Sequence, residues 1–273
     1  MFCFILNRDF CEPKKKIGFL KTHKCASSSI QNILLRYAVR NNVNVVLPQH
    51  SNYLGPDNPD YSSRFNRKML EKTIWEQAGL AYDFFLCHTK WDHQEISQVL
   101  DDHGDVFYFS ILRDPVDLFR SFWDYYNLED DFQTSLDEYA NTVIASELRF
   151  KNKTRRSRGY NQMLTDFGMA FDEIIPRGSG NNETVGIENV KYKIKEIDQY
   201  FDLIILADSK YFEDSIILLR NALCWEYEEV VNLKLNSIDL EIQSTISTEA
   251  QRNIKGKIMY LNGQLKSNRM KNS

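Results

Sequence analysis

No hydrophobic run in this 273-residue chain approaches the roughly 20 apolar residues that a membrane-spanning helix needs. The opening MFCFIL is far too short, and it lacks the shape of a signal peptide. The sequence therefore reads as soluble, or as starting after an anchor. Charge of one sign is also missing: 34 basic residues face 38 acidic ones, for a net charge of −4. That balance argues against a general nucleic-acid binder, which is usually basic overall. The five cysteines, Cys3, Cys11, Cys25, Cys87 and Cys224, include no CxxC pair, which argues against a zinc site. Their odd number leaves at least one thiol unpaired within a monomer. No GxxxxGK[ST] loop occurs, so nucleoside triphosphate hydrolysis is not the first reading. Internal repeats and low-complexity tracts are absent as well.

What is present is ordinary for a globular protein, with 42% hydrophobic and 26% charged residues. Such a chain builds a core without staples. Aromatics reach 13%, enough for a large aromatic core and also suited to stacking on sugars or nucleobases. Two N-x-[ST] sequons, at Asn152 and Asn182, give weak support for a luminal glycoprotein.

Short apolar runs alternate with helical patterns, which predicts an α/β fold with a central, mainly parallel sheet flanked by helices. Ile17 to Leu20 reads as a buried strand. A polar loop, Lys21 to Ser29, follows. Ile30, Ile33, Leu34, Tyr37 and Ala38 then recur at helical spacing, with Ser27, Ser28 and Ser29 where an N-cap belongs. Further strands are predicted over Val43–Leu47, Tyr82–Cys87, Val106–Leu112 and Phe201–Ala207. Helices are predicted over Arg67–Ala78, around Ile96–Leu100, over Val116–Tyr126 after Pro115, and over Phe212–Leu223. Residues 127–190 read as polar and mobile-looking. Residues 1–16 read as a tail, 17–240 as the functional domain and 241–273 as a weakly patterned tail.

Two strand-to-helix turns carry chemistry. In KTHKCASSS, a helix start offers unpaired N–H groups and a positive dipole end, which together favour an anion. Lys24 adds a point charge, Ser27 and Ser28 add donors, and Ala26 and Ser27 are small enough for close approach. A capped helix with a solvated lysine would look the same. In FSILRDPVDLFRSFWDYY, Arg113 ends a strand and can fork onto a phosphate, with Ser121 eight positions on. An Arg113–Asp114 or Arg113–Asp117 surface pair is the plain alternative. Two anion sites on neighbouring strand ends suit a nucleotide phosphorylated at both ends.

These segments resemble the sulfotransferases that use 3′-phosphoadenosine 5′-phosphosulfate (PAPS), and specifically the galactose-3-O-sulfotransferase family. The resemblance is carried by FLKTHKCASSSIQNILLRYA, FFLCHTKWD, FSILRDPVDLFRSFWDYY, RGYNQMLTDFGM and the region from Ile197 to Ser237, in that order. It implies a P-loop-like sulfotransferase fold. It implies PAPS as co-substrate, no metal, and a galactose-containing glycolipid such as galactosylceramide, or a glycan, as acceptor. Lys21 and Lys24, with Cys25, Ala26, Ser27, Ser28 and Ser29, would then grip the 5′-phosphosulfate, and Arg113 and Ser121 the 3′-phosphate. The family pattern has Thr where Cys25 stands, so backbone contacts are the ones expected there. The resemblance also implies a Golgi location and membrane association.

The acceptor hydroxyl needs a base, and histidine is the usual choice. His88, at a predicted strand end where ligands of open α/β sheets collect, leads. His23, inside the phosphate loop, is second. His50, His93 and His103 read as solvated. Trp91 and Trp123 are candidates for stacking on sugar or adenine, with a core role for Trp123 the stronger reading. Asn161 and the basic cluster Lys151, Lys153, Arg155, Arg156 and Arg158 are candidates for the acceptor side; for the cluster, a solvated loop is an equal reading. Competing functions are a sulfotransferase for another glycan such as a glycosaminoglycan, a non-catalytic PAP-binding module, and a P-loop kinase.

Overall fold

The computed structural model describes residues 11–48, 52–54, 64–70, 81–142, 162–174, 182–208 and 210–231. They divide into two compact units. The first takes in Met1–Arg113, Met163–Met169 and Ile194–Asn236; the second takes in Asp114–Gln162, Ala170–Lys193 and Ser237–Ser273.

The first unit is built on five parallel strands, β1 (Ile17–Leu20), β2 (Val45–Val46), β3 (Phe84–Phe85), β4 (Phe107–Leu112) and β5 (Leu203–Leu206), in the order β2-β3-β1-β4-β5. β1 is buried at all four positions, as a central parallel strand covered on both faces must be. One face carries Phe19 stacked on Phe109, with ring centroids 4.7 Å apart. The other carries Gly18 opposite Tyr108. A Cβ at Gly18 would lie 2.3 Å from the Tyr108 ring, so glycine is what lets that ring cross the strand. The Tyr108 face forms a core with Leu20, Phe65, Phe85, Trp91, Ile96 and Phe167.

Helix α1 (Ser27–Asn41) follows β1 and buries Ile30, Ile33, Leu34 and Ala38, the residues whose spacing marked it. It stops at Asn42, which is left-handed and returns its N–H to the carbonyl of Ala38. Helix α2 (His93–Val99) is capped by Asp92, whose carboxylate accepts from the Glu95 N–H. Of the helix predicted over Arg67–Ala78, the described part is a short 3₁₀ helix, Arg67–Met69; residues 71–80 lie outside the described residues.

The second unit opens with α3 (Pro115–Tyr125). Asp114 caps it on the N–H groups of Val116 and Asp117, and Pro115 fills the first turn as expected. Asp114 is thereby committed as a cap. Short helices α4 (Leu128–Phe132) and α5 (Leu136–Thr142) follow. Trp123 lies in an aromatic cluster with Phe132 and Tyr139, at centroid distances of 5.4 and 5.1 Å, which settles its core role. Next in sequence come α6 (Gln162–Asp166), which belongs to the first unit from Met163 on, α7 (Phe171–Ile174), and the 19-residue α8 (Asn182–Tyr200), whose residues from Ile194 on are counted with the first unit. Within the stretch 127–190, read as polar and mobile-looking, the described residues are thus largely helical. Ile187, Val190, Ile194 and Ile197 carry a helical spacing that the polar residues between them obscured.

After β5, helix α9 (Phe212–Leu223) coincides with its predicted span, and α10 (Tyr227–Val230) follows. Cys224, left-handed at the end of α9, is disulfide-bonded to Cys11 across 213 residues of sequence. Cys25 and Cys87 are buried free thiols, and burial pushes both up to about 12.

Candidate functional site

In the order β2-β3-β1-β4-β5, the chain leaves β1 toward one edge of the sheet and leaves β4 toward the other. The carboxyl ends of β1 and β4 therefore border the crevice where open α/β sheets collect ligands. Thr22 Oγ1 donates to the carbonyl of Ile111, and Ser110 Oγ donates to that of Leu20 at 3.0 Å, stitching the two strand ends together.

The loop beyond β1 holds two non-glycine residues in the left-handed region, Lys24 (φ 56°) and Ala26 (φ 54°), with Cys25 between them. Each costs about 1–3 kcal/mol and persists only where its surroundings over-determine it. Those surroundings are visible. Ser27 Oγ donates to the Thr22 carbonyl, and the Ser29 N–H donates to Ala26. Arg113 Nη1 donates to the Lys24 carbonyl at 3.1 Å. Alternating backbone handedness of this kind turns successive N–H groups inward and makes a concavity for an anion. The expected serine cap of α1 is corrected: the N-cap is Ala26, and no side chain caps the helix. No side-chain cap competes for the helix-start amides, of which that of Ser29 is already bonded to Ala26.

Lys21 is the buried cation of the loop, only 2% exposed. Its Nζ lies 3.1 Å from Ser28 Oγ, 3.4 Å from Ser27 Oγ and 2.9 Å from His88 Nε2. Burial lowers Lys21 to about 8. His88 Nδ1 faces the Lys21 carbonyl at 2.8 Å. A carbonyl only accepts, so Nδ1 carries the hydrogen and the Nε2 lone pair receives the lysine ammonium. Burial first, then the neighbouring His23 and Lys21, hold His88 well below the usual histidine range, so its ring is neutral. The His88 backbone pairs with the segment 52–54, and the Tyr53 ring stacks on it at 5.1 Å.

His23 stacks on the other ring of this group, 4.2 Å from His88. Its backbone N–H donates to Asp166 Oδ2, and its Nδ1 faces Asp166 Oδ1, both at 2.8 Å. Asp166 is 2% exposed. The site thus combines a strained, amide-rich loop, a buried lysine, an arginine on the next strand, and two stacked histidines with different partners. That set can bind a phosphate-like anion and accept a proton beside it.

A family profile described as Galactose-3-O-sulfotransferase matches residues 5–261. The chain belongs to the galactose-3-O-sulfotransferase family. It is 34% identical to galactose-3-O-sulfotransferase 2 of Mus musculus over 251 residues, 89% of this chain and 58% of that protein. It is 27% identical to galactosylceramide sulfotransferase of Bos taurus over 246 residues, 89% of this chain and 53% of that one. With galactose-3-O-sulfotransferase 3 of Homo sapiens the identity is 28% over 224 residues, 81% of this chain and 47% of the relative. The chain spans about half the length of the curated relatives it matches.

In this member of the galactose-3-O-sulfotransferase family, the loop residues Lys21 to Ser29, His88 and Arg113 come together at one sheet edge. Ser121 stands on α3, in the second unit. Trp91, offered for stacking on sugar or adenine, belongs instead to the core, 3% exposed and edge-on to Tyr108 and Phe85. His93 is not solvated: it stacks on Tyr200 at 4.0 Å, and burial lowers its pKa. His103 is exposed as expected. His50, Asn161, the sequon at Asn152 and the basic cluster at 151–158 lie outside the described residues. Among the described residues, no helix is long and apolar enough to cross a membrane, and no group of side chains is placed to hold a metal ion. Asp166 is the residue that sequence reading missed. Its signal is its place in the segment RGYNQMLTDFGM, one of those that carry the family resemblance.

Proposed function

We propose that this chain is a PAPS-dependent sulfotransferase that moves a sulfonate to the 3-hydroxyl of a galactose in a glycolipid or glycan. The observation that carries the reading is the loop after β1. Its two left-handed residues, uncapped helix start and buried Lys21 fit a phosphosulfate, and Arg113 reaches it from the neighbouring strand. Lys24, the amides from Cys25 to Ser28 and the Ser27 and Ser28 hydroxyls take the 5′-phosphosulfate, with Ser29 completing the loop. Arg113 and Ser121 take the 3′-phosphate.

Sulfonyl transfer resembles phosphoryl transfer: catalysis is positioning plus stabilisation of charge on oxygens. His23 takes the proton of the acceptor hydroxyl as the new oxygen–sulfur bond forms. Lys24 and the start of α1 stabilise the 5′-phosphate oxygen that keeps the electron pair of the broken sulfur–oxygen bond. His88, the leading base candidate from the sequence, has its Nε2 lone pair turned to Lys21, so it orients that lysine and the base role passes to His23. A disulfide between Cys11 and Cys224 suits an oxidising compartment and supports a Golgi-luminal site of action.

Radiolabelled PAPS tests the reading, offered with galactosylceramide, lactose-type glycans and a glycosaminoglycan. Label should pass to galactose acceptors, and Lys24→Ala should lower transfer about 10²–10³-fold. Binding of PAP with no transfer to any acceptor would replace this reading with that of a binding module. Transfer only to the glycosaminoglycan would change the acceptor class.

A further inference from the structure

Asp166 is buried, acidic, and remote in sequence from every motif residue it touches. It is the last residue of the short α6, and its backbone carbonyl accepts from the Trp91 N–H at 2.9 Å. The turn after α6 is pinned again by Arg64 Nε, which donates to the Gly168 carbonyl at 2.7 Å. Both carboxylate oxygens meet His23: Oδ2 accepts from the His23 backbone N–H, and Oδ1 faces the His23 ring at Nδ1. A carboxylate only accepts, so the ring hydrogen sits on Nδ1, and in the neutral ring the Nε2 position bears the lone pair.

We infer that Asp166 is the positioning residue of the reaction: it fixes the tautomer and orientation of His23 so that Nε2 can take the acceptor proton. This rests on the sulfotransferase reading above. Proton transfer turns His23 into an imidazolium, and the buried carboxylate 2.8 Å away is the group that stabilises that charge. The two-bond geometry also dictates what an amide in its place would do. In Asp166→Asn, the backbone N–H of His23 can bond only to the amide oxygen. The amide NH₂ then faces Nδ1 and forces the ring hydrogen onto Nε2, the wrong tautomer.

Nitrogen-15 histidine labelling and long-range proton–nitrogen correlation spectra read this directly in the neutral ring, with His23→Gln identifying the signals. The parent protein should show His23 with its hydrogen on Nδ1. Asp166→Asn should move it to Nε2 and lower kcat about 10²–10⁴-fold, while KM for PAPS changes less than about threefold. A parent ring protonated on Nε2, or an Asp166→Asn protein that keeps its kcat, overturns the assignment. The parent spectrum decides even if Asp166→Asn does not fold. If the parent transfers sulfonate to no acceptor, the functional reading fails, and the tautomer still tells whether Asp166 sets His23.

Discussion

Both ring nitrogens of His88 are held by one residue, Lys21: its backbone carbonyl lies 2.8 Å from Nδ1 and its ammonium 2.9 Å from Nε2. The imidazole is therefore locked as a neutral acceptor, and the lysine is held in a fixed position under the Ser27 and Ser28 hydroxyls. A buried ammonium with only neutral hydrogen-bond acceptors at its tip titrates early.

That early titration has a sign. Lys21 sits at about 8 in the folded protein against 10.5 in the open chain. Between those values the unfolded state binds more protons, so the folded state gains stability as pH rises, and below pH 8 the buried charge opposes folding in full. Relative to Lys21→Met, the parent should gain about 2 kcal/mol between pH 8 and 10 in urea titrations. PAP affinity should move the other way, weakening over the same interval as the cation is lost. Parallel pH curves for parent and Lys21→Met would show that Lys21 is not the titrating group.

Gly168 and Gly104 share a φ of +93° but differ in surroundings. A Cβ at Gly168 would lie 2.3 Å from the backbone oxygen of Trp91, whereas one at Gly104 meets nothing within 4 Å. Gly104→Ala should cost about 1 kcal/mol, the backbone term alone. Gly168→Ala should cost about 3 kcal/mol, because the rigid turn must shift as well. Thermal melts compare the two. In Gly168→Ala, sulfonate transfer should fall further than PAP affinity, since Asp166 is two residues away. Equal costs would mean that the contact with Trp91 relaxes freely.

The bond between Cys11 and Cys224 closes almost the whole described chain. Loop-closure entropy for such a ring predicts a loss of about 5 kcal/mol on removing it. Cys11→Ser is the cleaner variant, because Cys224 also occupies a left-handed position at the end of α9. Peptide mapping without reductant should recover 11 linked to 224. Cys25 and Cys87, both buried, should react with alkylating agents only after unfolding.

The strand Ile17–Leu20 and helices α1, α3 and α9 were legible because their burial is written in local spacing. The anion loop was legible because its chemistry is contiguous. Asp166 was not, since nothing near residue 166 marks it as the partner of a histidine 143 positions earlier. The cap of α1 was misread for a related reason. Three serines in a row satisfy the capping rule, but Ala26 is forced left-handed by bonds from elsewhere, among them that of Arg113 to Lys24. Trp91 was misread because tryptophan in sequence does not say whether its ring faces ligand or sheet; Gly18, which makes room over Tyr108, decides that in space.

The nine residues from Lys21 to Ser29 are contiguous, yet they are completed by groups 89 and 143 positions downstream. A splice form or gene fragment that stops before residue 160 would still display the whole loop. It would carry His23 with no carboxylate beneath it. Surveys that count active paralogues by the loop alone would therefore overcount, and the presence of an aspartate at the far end of the domain is the better census mark.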